Sequence, residues 1–199
     1  MGGRAGGGAR GGGGGAGLSS DQQRAVDFLL QQSVFNPLNP RGIKDPAVRA
    51  EVMDAIRQYA KEVGLPSSYI TMEVGTLPKG RLAMVQGDHI VLAKSVYGAT
   101  YGHALKVQQG KIASGESVVT GKPIAKTIVH EFGHGTYKGL SASGKAHVAA
   151  TYKAFMSSKS KSGWGSYSGK NAEEFFAEGM AKGLLGKSDK WTKALRKAK

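Results

Sequence analysis

The sequence of 199 residues contains no cysteine. The fold therefore has no disulfide bonds, and any metal site must be built without thiolate ligands. No run of apolar residues is long enough to span a bilayer, and the N-terminus lacks the apolar stretch of a secretory signal. We therefore expect a soluble protein with no signal peptide and no membrane span. Any delivery or secretion would use a non-classical route.

Carboxylates are also scarce, with 14 Asp and Glu residues against 28 Lys and Arg residues, for a net charge of +14. Such an excess of positive charge predicts attraction to an acidic partner or to nucleic acid, although the lysine-rich C-terminus also fits a solvated helix face. The few carboxylates are unevenly distributed. Four of the fourteen lie between residues 131 and 178, and all four are glutamates: Glu131, Glu173, Glu174 and Glu178.

The organisation along the chain predicts an α+β fold. Residues 1–17 contain eleven glycines and no residue that could build a core, so we interpret them as a disordered tail or linker, followed by one domain over residues 18–199. The pattern within that domain predicts a helical part, a sheet and a final set of helices, at residues 18–65, 66–122 and 123–199. Helices are expected at 20–32, 46–63, 123–139, 143–156, 171–185 and 190–199. Strands are expected at 68–74, 81–86, 89–97 and, more briefly, 116–120. Those at 81–86 and 89–97 are expected to pair as a hairpin around Gly87 and Asp88.

The segment "HEFGH" at residues 130–134 carries two histidines four residues apart. On a helix, residues i and i+4 lie one above the other, so His130 and His134 can present two imidazole nitrogens to one ion. Glu131 lies close enough to hold a metal-bound water as a general base. A match to this pattern arises by chance on the order of once in a hundred chains of this length. The pattern predicts one catalytic Zn²⁺ per chain.

A catalytic zinc ion needs a third protein ligand, and the only dense supply of carboxylates is "NAEEFFAEGMAKG" at residues 171–183. Glu174 and Glu178 share one helix face, whereas Glu173 is rotated by about 100°. Position favours Glu174 as the ligand. However, Asn171 and Glu174 also form a capping-box pattern, in which Glu174 would only accept a hydrogen bond from the backbone.

The combination of "HEFGH", Tyr167 and "EFFAE" at residues 174–178 resembles the metallopeptidase domain of anthrax lethal factor and its relatives, which include the clostridial Pro-Pro endopeptidases. The resemblance covers about fifty residues, 128–180, so it concerns the catalytic core alone. It implies a zincin-like domain in which His130, His134 and Glu174 bind zinc and Glu131 activates the water.

The same resemblance implies two supporting roles. Tyr167 would donate a hydrogen bond to the oxyanion, and Glu178 would orient a metal ligand. Tyr137, one turn beyond His134, is a competing oxyanion donor, and Tyr167 could instead pack beside Trp164. Metallopeptidases of this build bind substrate along a sheet edge. The candidate strands for that edge are those at residues 81–86 and 89–97.

Three functions remain compatible with the sequence. The first is a zinc endopeptidase acting on a protein or peptide, as a toxin, effector or phage-associated module. The second is a basic nucleic-acid-binding protein whose zinc site is structural or vestigial. The third is an inactive scaffold of protease descent.

Overall fold

The computed structural model describes residues 42–64, 71–86 and 89–198, and these form a mixed α+β structure. The predicted tail at 1–17 and the predicted helix at 20–32 lie outside the described residues. The described elements, in chain order, are α1 (Pro46–Glu62), β1 (Thr71–Gly75), β2 (Ala83–Gln86), β3 (His89–Ala93), α2 (Lys94–Tyr97), α3 (Tyr101–Ala113), α4 (Pro123–Gly139), α5 (Ala142–Ser157), a 3-10 turn (Ser166–Gly169), α6 (Ala172–Leu185), α7 (Lys190–Leu195) and a final 3-10 turn (Arg196–Ala198).

Helix α1 begins and ends where its sequence predicts. The Asp45 carboxylate accepts hydrogen bonds from the backbone N–H groups of Ala47 and Val48, and Pro46 occupies the first turn. The chain leaves the helix through Gly64, whose φ of +85° lies in the left-handed region that favours glycine. The apolar stripe of α1 is buried in the core and consists of Val48, Val52, Ala55, Ile56 and Tyr59.

The sheet has three strands in the order β1-β3-β2. Strand β3 pairs in parallel with β1 and antiparallel with β2, which confirms the predicted pairing of the last two strands. The prediction of a strand over residues 89–97 was wrong in one respect, because β3 ends at Ala93 and the chain turns into the short helix α2. The central position of β3 also means that it cannot be the edge that binds a substrate, which leaves β2 from the predicted pair.

The prediction of sheet over residues 66–122 was wrong between 101 and 113, where the chain forms α3. Thr100 caps this helix by accepting a hydrogen bond from the backbone N–H of His103. Only two of its residues, Ala104 and Gln108, are buried, so α3 lacks the apolar periodicity by which a helix is recognised in a sequence. The strand predicted at 116–120 is reduced to a single bridge between Thr120 and Gly186.

Helices α4 and α6 pack along each other and carry most of the predicted site residues. A Cβ atom at Gly133 on α4 would lie 2.7 Å from the Cα atom of Ala177 on α6, which is closer than real Cβ contacts. Glycine at this position therefore allows the two helix backbones to approach. The other side of α6 rests on aromatic rings, with Phe175 stacked on Trp164 at a centroid distance of 5.0 Å.

Substitution of Gly133 should therefore disturb the α4–α6 contact. We expect Gly133→Ala to lower the free energy of unfolding by about 1–3 kcal/mol, because the backbone of Ala177 cannot move as a flexible side chain would. Gly139→Ala, on the same helix with no heavy atom within 4 Å of the added Cβ, is the matched control and should change stability by less than about 1 kcal/mol. Equal denaturation midpoints for the two variants would contradict the close approach.

Candidate metal centre

Helix α4 places His130 and His134 one turn apart, as the spacing predicts. Pro123 occupies its first turn, and the apolar residues Ile124, Ile128 and Phe132 are fully buried and hold the helix in the core. The Nε2 atoms of the two histidines lie 3.1 Å apart. The two imidazoles therefore face each other at the distance expected of two ligands of one ion.

The third candidate ligand comes from the first turn of α6. Asn171 caps this helix by accepting a hydrogen bond from the backbone N–H of Glu174 at 2.8 Å. The Glu174 carboxylate turns towards the histidines, with Oε2 3.3 Å from Nε2 of His130 and 3.6 Å from Nε2 of His134. Of the two readings of Glu174 in the sequence, the geometry thus favours a ligand over a capping group.

Each histidine has a second carboxylate at its other ring nitrogen. His134 Nδ1 lies 2.9 Å from Oε1 of Glu173, and His130 Nδ1 lies 2.8 Å from Oε1 of Glu178. The second contact is close, but His130 Nδ1 forms no hydrogen bond there, because the geometry is not that of a hydrogen bond. Because ionised carboxylates only accept hydrogen bonds, we assign the proton of each neutral imidazole to Nδ1. Both Nε2 lone pairs then point into the site.

The geometry of the three converging atoms fits a tetrahedral metal ion. Ligands at ~2.0–2.1 Å from a tetrahedral zinc ion are about 3.3 Å from each other, close to the observed 3.1, 3.3 and 3.6 Å. Glu174 Oε2 is buried and forms no hydrogen bond, so a cation would satisfy an otherwise orphaned acceptor. His130, His134 and Glu174 can therefore hold a metal ion.

The electrostatics of the site favour positive charge. Burial by itself would lower the pKa of His130, but its contacts with Glu174 and Glu178 outweigh that cost and raise the pKa to about 9. For the Glu178 carboxyl group, burial by itself would raise the pKa, but Lys126 and His130 outweigh that effect and hold the pKa at about 2. The two imidazoles hold the pKa of Glu174 well below its usual range, against the opposing effect of burial.

A buried lysine completes the surroundings of Glu178. The Glu178 side chain has no exposed surface; its Oε1 accepts a short hydrogen bond from Nζ of Lys126, and its Oε2 accepts one from the backbone N–H of Val118 at 3.0 Å. Lys126 is one turn before His130 on the same stripe of α4. The sequence interpretation missed this residue, and it assigned no role to Glu173, which contacts His134. The i, i+4, i+8 spacing of 126, 130 and 134 was the available signal for Lys126.

The ligand group opens into a cavity of about 440 Å³. Glu131 and Tyr167 also line this cavity, and the Tyr167 ring meets the His130 ring edge-on at a centroid distance of 6.5 Å. Tyr137 does not line it and packs against Phe176 instead, at 5.8 Å. The structure thus brings together the predicted site residues His130, Glu131, His134, Tyr167, Glu174 and Glu178, and leaves Tyr137 outside.

Comparisons of the chain with protein-family models, with curated proteins and with solved structures find no match. The interpretation of the site therefore depends on its own geometry. Within the described residues, no helix is both long and apolar enough to cross a bilayer.

Loss of any one ligand should abolish stoichiometric metal binding. We expect wild-type protein dialysed against Zn²⁺ to retain one ion per chain, and His130→Ala, His134→Ala and Glu174→Ala to retain far less, as measured by elemental analysis. His103→Ala removes an exposed histidine outside the cavity lining and should retain the ion. A wild-type protein that retains no zinc, or ligand variants that retain it fully, would refute the ligand assignment.

Glu173 should tune the site without binding the ion. Its carboxylate fixes the Nδ1–H tautomer of His134, so Glu173→Gln should weaken zinc affinity by about 10- to 100-fold while preserving a stoichiometry of one. Competition with a chromogenic chelator measures this change. Glu73→Gln, at an exposed position of β1, makes the same chemical change away from the site and should leave the affinity unaltered.

Proposed function

We propose that the protein is a zinc-dependent endopeptidase with a zincin-like catalytic domain. The observation that carries the proposal is the shared cavity: the group His130, His134 and Glu174 opens onto the same space as Glu131 and Tyr167. Hydrolysis of a peptide bond needs an electrophilic centre, a base and a donor to the oxyanion. These residues can supply all three.

The donor set supports zinc as the metal. Two imidazole nitrogens and one carboxylate oxygen, with no thiolate, are a common ligand set of catalytic zinc sites, and three protein ligands leave one position open. A zinc ion bound here would polarise a carbonyl group and lower the pKa of a bound water to about 7.

Glu131 and Tyr167 would perform the proton and charge chemistry. The Glu131 carboxylate would accept a proton from the attacking water and then donate it to the leaving amine nitrogen. The phenolic O–H of Tyr167 would donate a hydrogen bond to the carbonyl oxygen as negative charge develops on it. Glu178 would keep the His130 ring in place from the opposite side.

Strand β2 supports a peptide as the substrate. It is the edge strand beside β3, and no strand among the described residues pairs with its outer side. Residues 80–85, which include most of β2, line the cavity. An extended peptide could therefore add to this edge through backbone hydrogen bonds and pass the site.

The alternative function is a basic nucleic-acid-binding protein or scaffold in which the metal site is structural or vestigial. One observation favours it: residues 135–172 contain six lysines and no Asp or Glu. Nucleic-acid binding together with no cleavage of any peptide would select this alternative. Binding that persists in the zinc-free protein would mark the metal site as vestigial, and binding that is lost with zinc would mark it as structural.

Peptide cleavage tests the proposal directly. With a broad peptide library read by mass spectrometry, we expect zinc-loaded wild type to cleave and Glu131→Gln to lose at least about 100-fold in rate while still binding one zinc ion. Tyr167→Phe should lose about 100-fold, because only the hydroxyl group is removed. Tyr137→Phe is the matched control and should stay within about twofold of wild type, since its ring lies outside the cavity lining.

Two results would reject the proposed activity. One is stoichiometric zinc without cleavage of any library peptide. The other is cleavage that survives intact in Glu131→Gln, because that activity would come from a contaminant or from another site.

A further inference from the structure

Some of the basic side chains that line the cavity are neutralised by carboxylates of the protein itself. Four basic residues line it, at positions 81, 111, 126 and 170. Lys111 forms an ion pair with Glu116 at 2.5 Å, and Lys126 pairs with the buried Glu178. These two lysines therefore contribute little net charge to anything that enters the cavity.

Arg81 and Lys170 differ from the other two. Both are exposed, and neither forms an ion pair with a carboxylate in the part of the chain that the structure describes. The Arg81 guanidinium contacts Sδ of Met84 at 3.3 Å, and Nζ of Lys170 lies over the Tyr167 ring, 3.2 Å from its centroid. The Arg81 charge remains available to a ligand. Lys111 together with Lys170 lowers the pKa of Glu116, and two lysines against this one carboxylate leave a net positive charge.

The two cations belong to different parts of the cavity lining. Arg81 immediately precedes the edge strand β2, along which we propose that a peptide binds. Lys170 follows the 3-10 turn that carries Tyr167. A peptide that occupies the cavity would thus meet one free cation on the β2 side and another on the Tyr167 side.

We propose that the substrate is an extended peptide with acidic side chains on both flanks of the scissile bond. This inference rests on the proposed function. The cavity carboxylates Glu131 and Glu174 already have roles as base and ligand, and Glu116 and Glu178 are paired with lysines. No carboxylate of the described lining is thus left for a basic peptide, whereas Arg81 and Lys170 attract an acidic one.

The expected preference is moderate because both cations are exposed. Each should change kcat/KM by roughly two- to fivefold between an acidic and a neutral side chain, and the effect should shrink as salt screens it. A basic side chain at the same position should be disfavoured by repulsion.

Two peptide pools test the inference. They share the same randomised centre and carry either Asp or Lys on both flanks. We expect wild type to cleave the Asp pool faster at low salt, and Arg81→Glu and Lys170→Glu each to reduce or reverse that preference. The matched control is Lys153→Glu, the same charge change at an exposed residue of α5 outside the cavity lining, and it should retain the wild-type preference.

A binding measurement separates the failure of this inference from the failure of the proposed function. Zinc-loaded Glu131→Gln is titrated with fluorescent peptides from each pool, and fluorescence anisotropy reports binding without cleavage. Tighter binding of Asp peptides that is lost in Arg81→Glu or Lys170→Glu on this background supports the inference, even if wild type cleaves nothing. Equal cleavage and equal binding of both pools overturn it, as does a loss of preference in Lys153→Glu as large as in the two cavity variants.

Discussion

The site depends on how closely helices α4 and α6 approach each other. Packed helices with ordinary side chains at their contact lie about 8–10 Å apart, and small residues permit a shorter distance. Gly133 faces Ala177 where the two backbones meet. Because the helices lie so close together, carboxylates of α6 can contact imidazoles of α4 directly. The candidate ligands of α4 and of α6 therefore all belong to rigid helices. This fixes the short distances between the three ligand atoms.

The ion pair between Lys126 and Glu178 serves to orient the side chains around His130. Burying a carboxylate and an ammonium costs several kcal/mol per ion, so such a pair is weak evidence for stability. The geometry nevertheless uses both oxygens of Glu178, one towards Lys126 and His130 and the other towards the backbone of Val118. A carboxylate held in this way can rotate little, and neither can the imidazole beside it.

The sequence predicted the parts of the structure where local chemistry and periodicity agree. Helix α4 has a proline in its first turn and a clear apolar stripe, and the spacing of its histidines follows from the helical repeat. Helix α3 escaped prediction because it buries only two residues and contains two glycines. Helical periodicity separated Glu174 from Glu173, because only Glu174 shares a face with Glu178. It could not show that the Glu173 carboxylate contacts His134, because that contact depends on the position of α4, which is a tertiary property.

The balance of charge explains why a chain so poor in carboxylates collects them here. Glu173, Glu174 and Glu178 contact the two imidazoles, and Glu131 lines the same cavity. Lys126 supplies one compensating charge. With neutral imidazoles the group carries three net negative charges, which a protein interior tolerates poorly. A divalent cation would reduce this excess to one, whereas protonation of a single histidine would remove only one charge. Electrostatics and the triangle of ligand atoms thus favour the same occupant, a small divalent metal ion.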